Sequence, residues 1–211
     1  MGQHMAYSSV ISNQVGLFID WENLALSLDR QYATNPDPKL IAQCLTDHVK
    51  TIGILAVSGA YADWERFPGV PNTLKEYGIE PKTPIAKSTR TRGSEVIPNA
   101  ADIMLCLDVM ETMMDRSSIK NFVIASGDRD YLELINKLRS RTMRVEFLGL
   151  RKTTSAVLSR VLGNDCKFLD PMLGVSGVQA AFVQRIDTAE ELIRLIYNLS
   201  KSLPFVGISY I

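Results

Sequence analysis

Histidine and cysteine are scarce in this 211-residue sequence. The two histidines, His4 and His48, and the three cysteines, Cys44, Cys106 and Cys166, are dispersed and form no CxxC pair. That disfavours a zinc site of thiolates and imidazoles. The cysteines read instead as small apolar core residues of a reduced, intracellular protein. A Ser-His-Asp hydrolase lacks its base, since His48 falls within a predicted helix. Long apolar runs are missing too: no stretch approaches the ~18 residues of a membrane helix, so no membrane partner is expected. The polar start, Met1 to Ser9, lacks the apolar segment of a secretory signal, which points to a cytoplasmic protein. Gly2-Gln3-His4-Met5 reads as an expression scar, and residues 1–5 are set aside from fold reasoning. No Walker-type loop or GxGxxG follows the first apolar run, which disfavours a nucleotide-triphosphate switch or a Rossmann dehydrogenase.

Excess charge of one sign is also lacking, because 23 basic and 23 acidic residues cancel. A general nucleic-acid-coating protein is usually basic, so any such role must rest on a local patch. One run qualifies: Lys82 to Arg92 carries Lys82, Lys87, Arg90 and Arg92 with no acidic residue. Taken alone, such a run is more often a solvated loop.

What is present is apolar residue in ordered patterns, 46% of the chain, enough for the core of one globular domain. Val15–Ile19 is a short apolar run that predicts a buried strand ending at Asp20. Pro38–Ile52 has helical spacing, with Gly53 as its stop. Strands are predicted over 54–62, 79–85, 121–126, 144–150 and 166–169, and helices over 71–77, 98–114, 131–141 and 154–162. The Met residues of the 98–114 segment read as a core stripe. Apolar strands alternating with helices imply an α/β domain with a mainly parallel sheet covered on both faces, over 10–170. Residues 171–187 read as a linker. Residues 188–211 follow as a C-terminal helix with a Thr188/Glu191 capping box, packed on the domain or opening a truncated second one.

In open α/β sheets, ligands bind beyond the carboxyl ends of the strands, where strand order reverses. Two predicted strands end there in acids: Ile19-Asp20-Trp21-Glu22-Asn23 and Ser126-Gly127-Asp128-Arg129-Asp130. On neighbouring strands, about 5 Å apart, such carboxylates repel unless a cation lies between them. Hard divalent ions such as Mg²⁺ or Mn²⁺ favour oxygen ligands of this kind. Asp102, in the first turn of the 98–114 helix, favours the helix dipole and is the third acid of the group. Asp108 lies six positions on, a rotation of roughly 240°, and leaves the face of Asp102. Asp130 reads evenly as a ligand or as the N-cap of the next helix. Asn23 holds a phosphate oxygen, orients Asp20 or serves as a turn residue. Ser126 bonds Asp128 or simply ends its strand.

Three of these segments carry a family likeness. Phe18-Ile-Asp-Trp-Glu-Asn-Leu24, Ala101-Asp-Ile-Met-Leu-Cys-Leu-Asp108 and Ile124-Ala-Ser-Gly-Asp-Arg-Asp-Tyr131 resemble the NYN domain family, in its LabA-like branch, within the PIN-like nuclease superfamily. The resemblance covers roughly Val15 to Asp170. It implies a Rossmann-like three-layer fold, Mg²⁺ or Mn²⁺, and cleavage of RNA. By position, Asp20, Asp102 and Asp128 match the family's metal-binding acids, and Asn23, Asp108 and Asp130 match accompanying polar positions. One departure stands out: Pro98-Asn99-Ala100-Ala101 precedes Asp102, where the family often has a Lys-Gly pair. Lys87 or Arg92 is then the candidate to supply the missing charge.

The resulting expectation is a metal-dependent ribonuclease acting on single-stranded RNA, with Asp20, Asp102, Asp128, Asp130 and Asn23 at the reaction centre. Asp20, Asp102 and Asp128 would be its metal ligands, and Asp108 and Ser126 would support them. Lys82, Lys87, Arg90, Arg92, Arg129 and Lys152 would draw in the RNA backbone. Trp21 and Tyr131 would stack bases or pack in the core. A homodimer is a candidate assembly. The alternative is a non-catalytic RNA-binding regulatory module of the same fold. A small-ester phosphatase ranks below both, since Glu22 stands where such enzymes usually have a second Asp.

Overall fold

The computed structural model describes residues 13–32, 37–84 and 100–175. Six strands form one all-parallel sheet: β1 (Gln14–Asp20), β2 (Ile54–Tyr61), β3 (Pro81–Lys82), β4 (Ile119–Ala125), β5 (Arg144–Gly149) and β6 (Cys166–Phe168). Their order is β3-β2-β1-β4-β5-β6. The chain builds outward from β1 in one direction, then returns beside it and builds in the other. The order therefore reverses between β1 and β4, where Ile19 lies opposite Ala125.

Seven helices are described: α1 (Trp21–Tyr32), α2 (Pro38–Ile52), α3 (Val70–Glu76), α4 (Ala100–Asp115), α5 (Leu132–Ser140), α6 (Ala156–Leu162) and α7 (Asp170–Leu173). Alternation along β1 divides the core. Val15, Leu17 and Ile19 face one layer, with Leu24, Leu28, Ile41 and Leu45 of α1 and α2. Phe18 faces the other, with Leu105 and Val109 of α4 and Ile135 and Leu138 of α5. Side chains two apart share a face of a strand, so one strand feeds both layers. Asp37 caps α2, accepting from Lys39 N at 2.9 Å, and Pro38 occupies a position where no N–H is needed.

Several boundaries differ from expectation. α1 is an added helix: Trp21, Leu24, Ala25, Leu28 and Tyr32 are its buried stripe, at helical spacing. β3 is cut to two residues. A 3-10 turn, Arg129–Tyr131, precedes α5. α7 occupies the start of the predicted linker, because Asp170 is buried and tied inward. The compact unit extends to Val175. The rest of that linker, the 188–211 helix and residues 1–5 lie outside the described residues. Among the described residues, no helix is long and apolar enough to cross a membrane.

Candidate functional site

β1 and β4 end side by side, and their two outgoing loops are stitched together. Asp20 closes β1 and is 4% exposed. Its Oδ1 accepts from Asn23 N at 3.0 Å. Its Oδ2 accepts from Ser126 Oγ at 3.0 Å and lies 3.2 Å from Tyr131 Oη. Ser126 Oγ in turn accepts from Asp128 N at 3.1 Å. Asn23 Oδ1 accepts from Gly127 N at 2.8 Å. A Cβ at Gly127 would lie 2.6 Å from Thr153 Oγ1 and 3.0 Å from Asn23 Oδ1, so the loop approach requires glycine.

α4 brings the second acid. Asp102 Oδ1 is 2.9 Å from the same Tyr131 hydroxyl. A phenol has one proton to give, so both contacts are satisfied together only when one of the two acids is protonated and donates back to Oη. Burial pushes Asp20 up to about 7, and the charge of Asp102 adds to this. Burial also raises Asp102, with the charges of Asp128, Glu22 and Asp130 behind it. The Tyr131 hydroxyl is driven far up by burial and by the two aspartates. Negative charge therefore accumulates at one end of the sheet, and among the described residues no cation is in direct contact with Asp20.

Hard oxygen donors under mutual repulsion are what a divalent ion neutralises, and Mg²⁺ is commonly held by one or two carboxylates plus waters. Asp20 and Asp102 fit that description. Among the described residues, no three Asp, Glu, His or Cys side chains are gathered closely enough to hold an ion. Asp128 lies near enough for its charge to raise Asp102, and its Oδ1 accepts from Asp130 N at 2.9 Å and caps the 3-10 turn.

The other expected residues separate. Asp130 is not the cap. Its side chain is 82% exposed, with a 3.8 Å contact to Arg129. Asp108 leaves the group, as the helical rotation requires. It accepts from Tyr61 Oη at 2.8 Å and pairs with Lys82 Nζ at 3.2 Å, in a separate cleft of about 520 Å³. Lys82 is thereby locally neutralised. Lys152 Nζ donates to Gln31 O at 2.8 Å and lies over the Tyr32 ring. Arg129 remains well exposed beside the site. Lys87, Arg90 and Arg92 lie outside the described residues. Trp21 and Tyr131 are 1% and 2% exposed, so they pack rather than stack bases.

Two features go beyond the motifs. Tyr131 is the hub of the group, because the turn capped by Asp128 points its hydroxyl inward. Asp170 is the other: buried, it accepts from the Tyr32 hydroxyl and from Arg151 N at 3.0 Å, which ties the loop after β5 to α1. That loop carries Thr153, the neighbour of Gly127.

Among solved structures, the fold is similar to a crystal structure of a protein of unknown function, VPA0982 from Vibrio parahaemolyticus. The TM-score is 0.59 at 18% identity, covering 77% of this chain and 96% of that one. No curated protein matches the chain. The model of the NYN domain matches residues 14–166, a span that takes in the ends of β1 and β4, α4 and the Asp128 turn. The chain belongs to the NYN domain family.

Proposed function

We propose that this protein is a metal-dependent ribonuclease of the LabA-like branch, acting on single-stranded RNA in the cytoplasm. The observation that carries the proposal is the pairing of Asp20 and Asp102 across one tyrosine hydroxyl, at the point where strand order reverses. Asp20 and Asp102 would hold Mg²⁺ or Mn²⁺, with Asp128 alongside. A bound ion of this kind lowers the pKa of water and offsets charge on a scissile phosphate.

The chain's own groups have separate tasks. Asn23 N and Ser126 Oγ fix the Asp20 carboxylate from two sides. Tyr131 Oη fixes Asp102 and lies within hydrogen-bonding reach of Asp20. Burial excludes bulk water from Asp20, which strengthens each of these contacts. Arg129, exposed beside the acids, offers a cation to the RNA backbone, and binding would weaken with salt.

Labelled single-stranded RNA incubated with the purified protein tests this. Product is expected with Mn²⁺, none with EDTA, and none from Asp102→Asn. Cleavage that survives EDTA, or full activity in Asp102→Asn, overturns the proposal.

A second reading is a non-catalytic RNA-binding module. It is favoured by the absence of a three-acid cluster among the described residues and by Pro98-Asn99-Ala100-Ala101 before Asp102. Binding of the same RNA without product in Mn²⁺ would select it.

A further inference from the structure

α4 is apolar on two opposite faces. Leu105, Val109 and Thr112 are buried against the sheet. On the reverse side, Ile103 is 55% exposed, Leu107 64% and Met114 72%, with half-buried Met110 between them. At about 100° per residue these four positions lie within one narrow stripe, roughly opposite the buried face. Solitary exposed apolar residues are ordinary, but a continuous stripe along a surface helix marks an interface.

Spacing suits a second copy of the same helix. The stripe positions are separated by four, three and four residues, the seam spacing by which two helices pack. That pattern reads identically in both directions. In an antiparallel pairing of two copies, Ile103 meets Met114 of the second copy, and Leu107 meets Met110 of the second copy. Every seam residue then finds an apolar partner. Glu111 is the one charged residue on the immediate flanks, and this arrangement offsets it from its own equivalent by five residues, about 7.5 Å along the axis. We infer that the outer face of α4 is a two-fold interface between copies of this chain.

Its size sets its strength. Sixteen residues of helix span about 24 Å. A single helix pair of that length falls near the lower end of specific interfaces, about 1,000 Å² in total. The dimer is therefore weak and concentration-dependent. This inference does not depend on the proposed nuclease activity.

Sedimentation equilibrium on the full chain, over a wide concentration range, tests it. A monomer–dimer equilibrium is expected, and Leu107→Glu weakens it on the order of 100-fold or more by placing a carboxylate inside the seam. Leu107 is already largely exposed in the single chain, so the melting temperature of that variant stays close to the parent. Val157→Glu, at a comparably exposed apolar site on α6, leaves the dimer unchanged. In a Cys106→Ser background, an equal mixture of Ile103→Cys and Met114→Cys chains gives mainly the mixed disulfide. A monomer at all concentrations, a dimer indifferent to Leu107→Glu, or a preference for like-with-like disulfides overturns the inference.

Discussion

Tyr131 places its hydroxyl 2.9 Å from the Asp102 carboxylate, across the gap between α4 and the loop after β4. The same oxygen is 3.2 Å from Asp20, so one hydroxyl stands between two acids. Tyr131→Phe keeps the buried ring and removes the shared group. The two carboxylates then lose the hydroxyl that stands between them. A loss of about 1–3 kcal/mol in unfolding free energy is expected near neutral pH, read by urea denaturation.

Asp20 gives stability a pH slope of unusual sign. Its folded-state value is raised to about 7 from an ordinary 3.8, so between those values the folded chain binds the proton and the unfolded chain does not. The contribution of Asp20 is therefore favourable at low pH and is lost as pH rises towards 7. In metal-free buffer, Asp20→Asn should flatten this slope. Unfolding curves from pH 4 to pH 8, parent against variant, measure it; an unchanged slope counts against the buried carboxylate as its source.

A divalent ion should reverse the penalty. If Asp20 and Asp102 hold it, Mn²⁺ raises the melting temperature of the parent in a saturable, EDTA-reversible way. Asp102→Asn, which loses one of the two carboxylates, should show a much smaller rise. Equal rises in both chains place the ion elsewhere.

Asp128 and Asp130 stand two residues apart and should behave very differently. Asp128 caps the turn, so Asp128→Ala should cost about 1 kcal/mol. Asp130 is mostly exposed, and Asp130→Ala should fall within about 0.5 kcal/mol of the parent. Chemical denaturation of both variants checks the ordering.

Asp170 should matter more than its place beyond the last strand suggests. It is buried, and Asp170→Ala removes the acceptor of the Tyr32 hydroxyl and of Arg151 N. A loss of about 2–4 kcal/mol is expected, with Tyr32→Phe losing less. Thermal unfolding compares them.

Much of this architecture is legible in the chain. Apolar strands ending in acids name β1 and β4, and parallel pairing follows from the helices between them. Asp20 and Asp102 are legible because a strand end and a helix start are fixed positions. The Asp108 divergence is pure helical rotation. Other features are not local. Tyr131 reads as an aromatic at an element boundary, and only the turn capped by Asp128 aims its hydroxyl at Asp20. Lys82 and Lys152 read as free cations, and their pairing with Asp108 and Gln31 O depends on tertiary neighbours. α1 is legible too, since Trp21, Leu24, Ala25, Leu28 and Tyr32 keep helical spacing beneath the acidic motif at its start.

The strand order has a consequence in time. Asp20 and Ser126 are hydrogen-bonded across 106 residues, because β1 waits for β4 to arrive beside it. During synthesis from the amino end, β1 can pair with β2 long before β4 emerges, leaving one backbone edge open. Such distant closures are slow, since chain entropy is lost before the contact rewards it. The acidic group therefore comes into being late on the ribosome, after most of the chain is already outside, and a nascent fragment ending before β4 carries the first acid without its fixing serine.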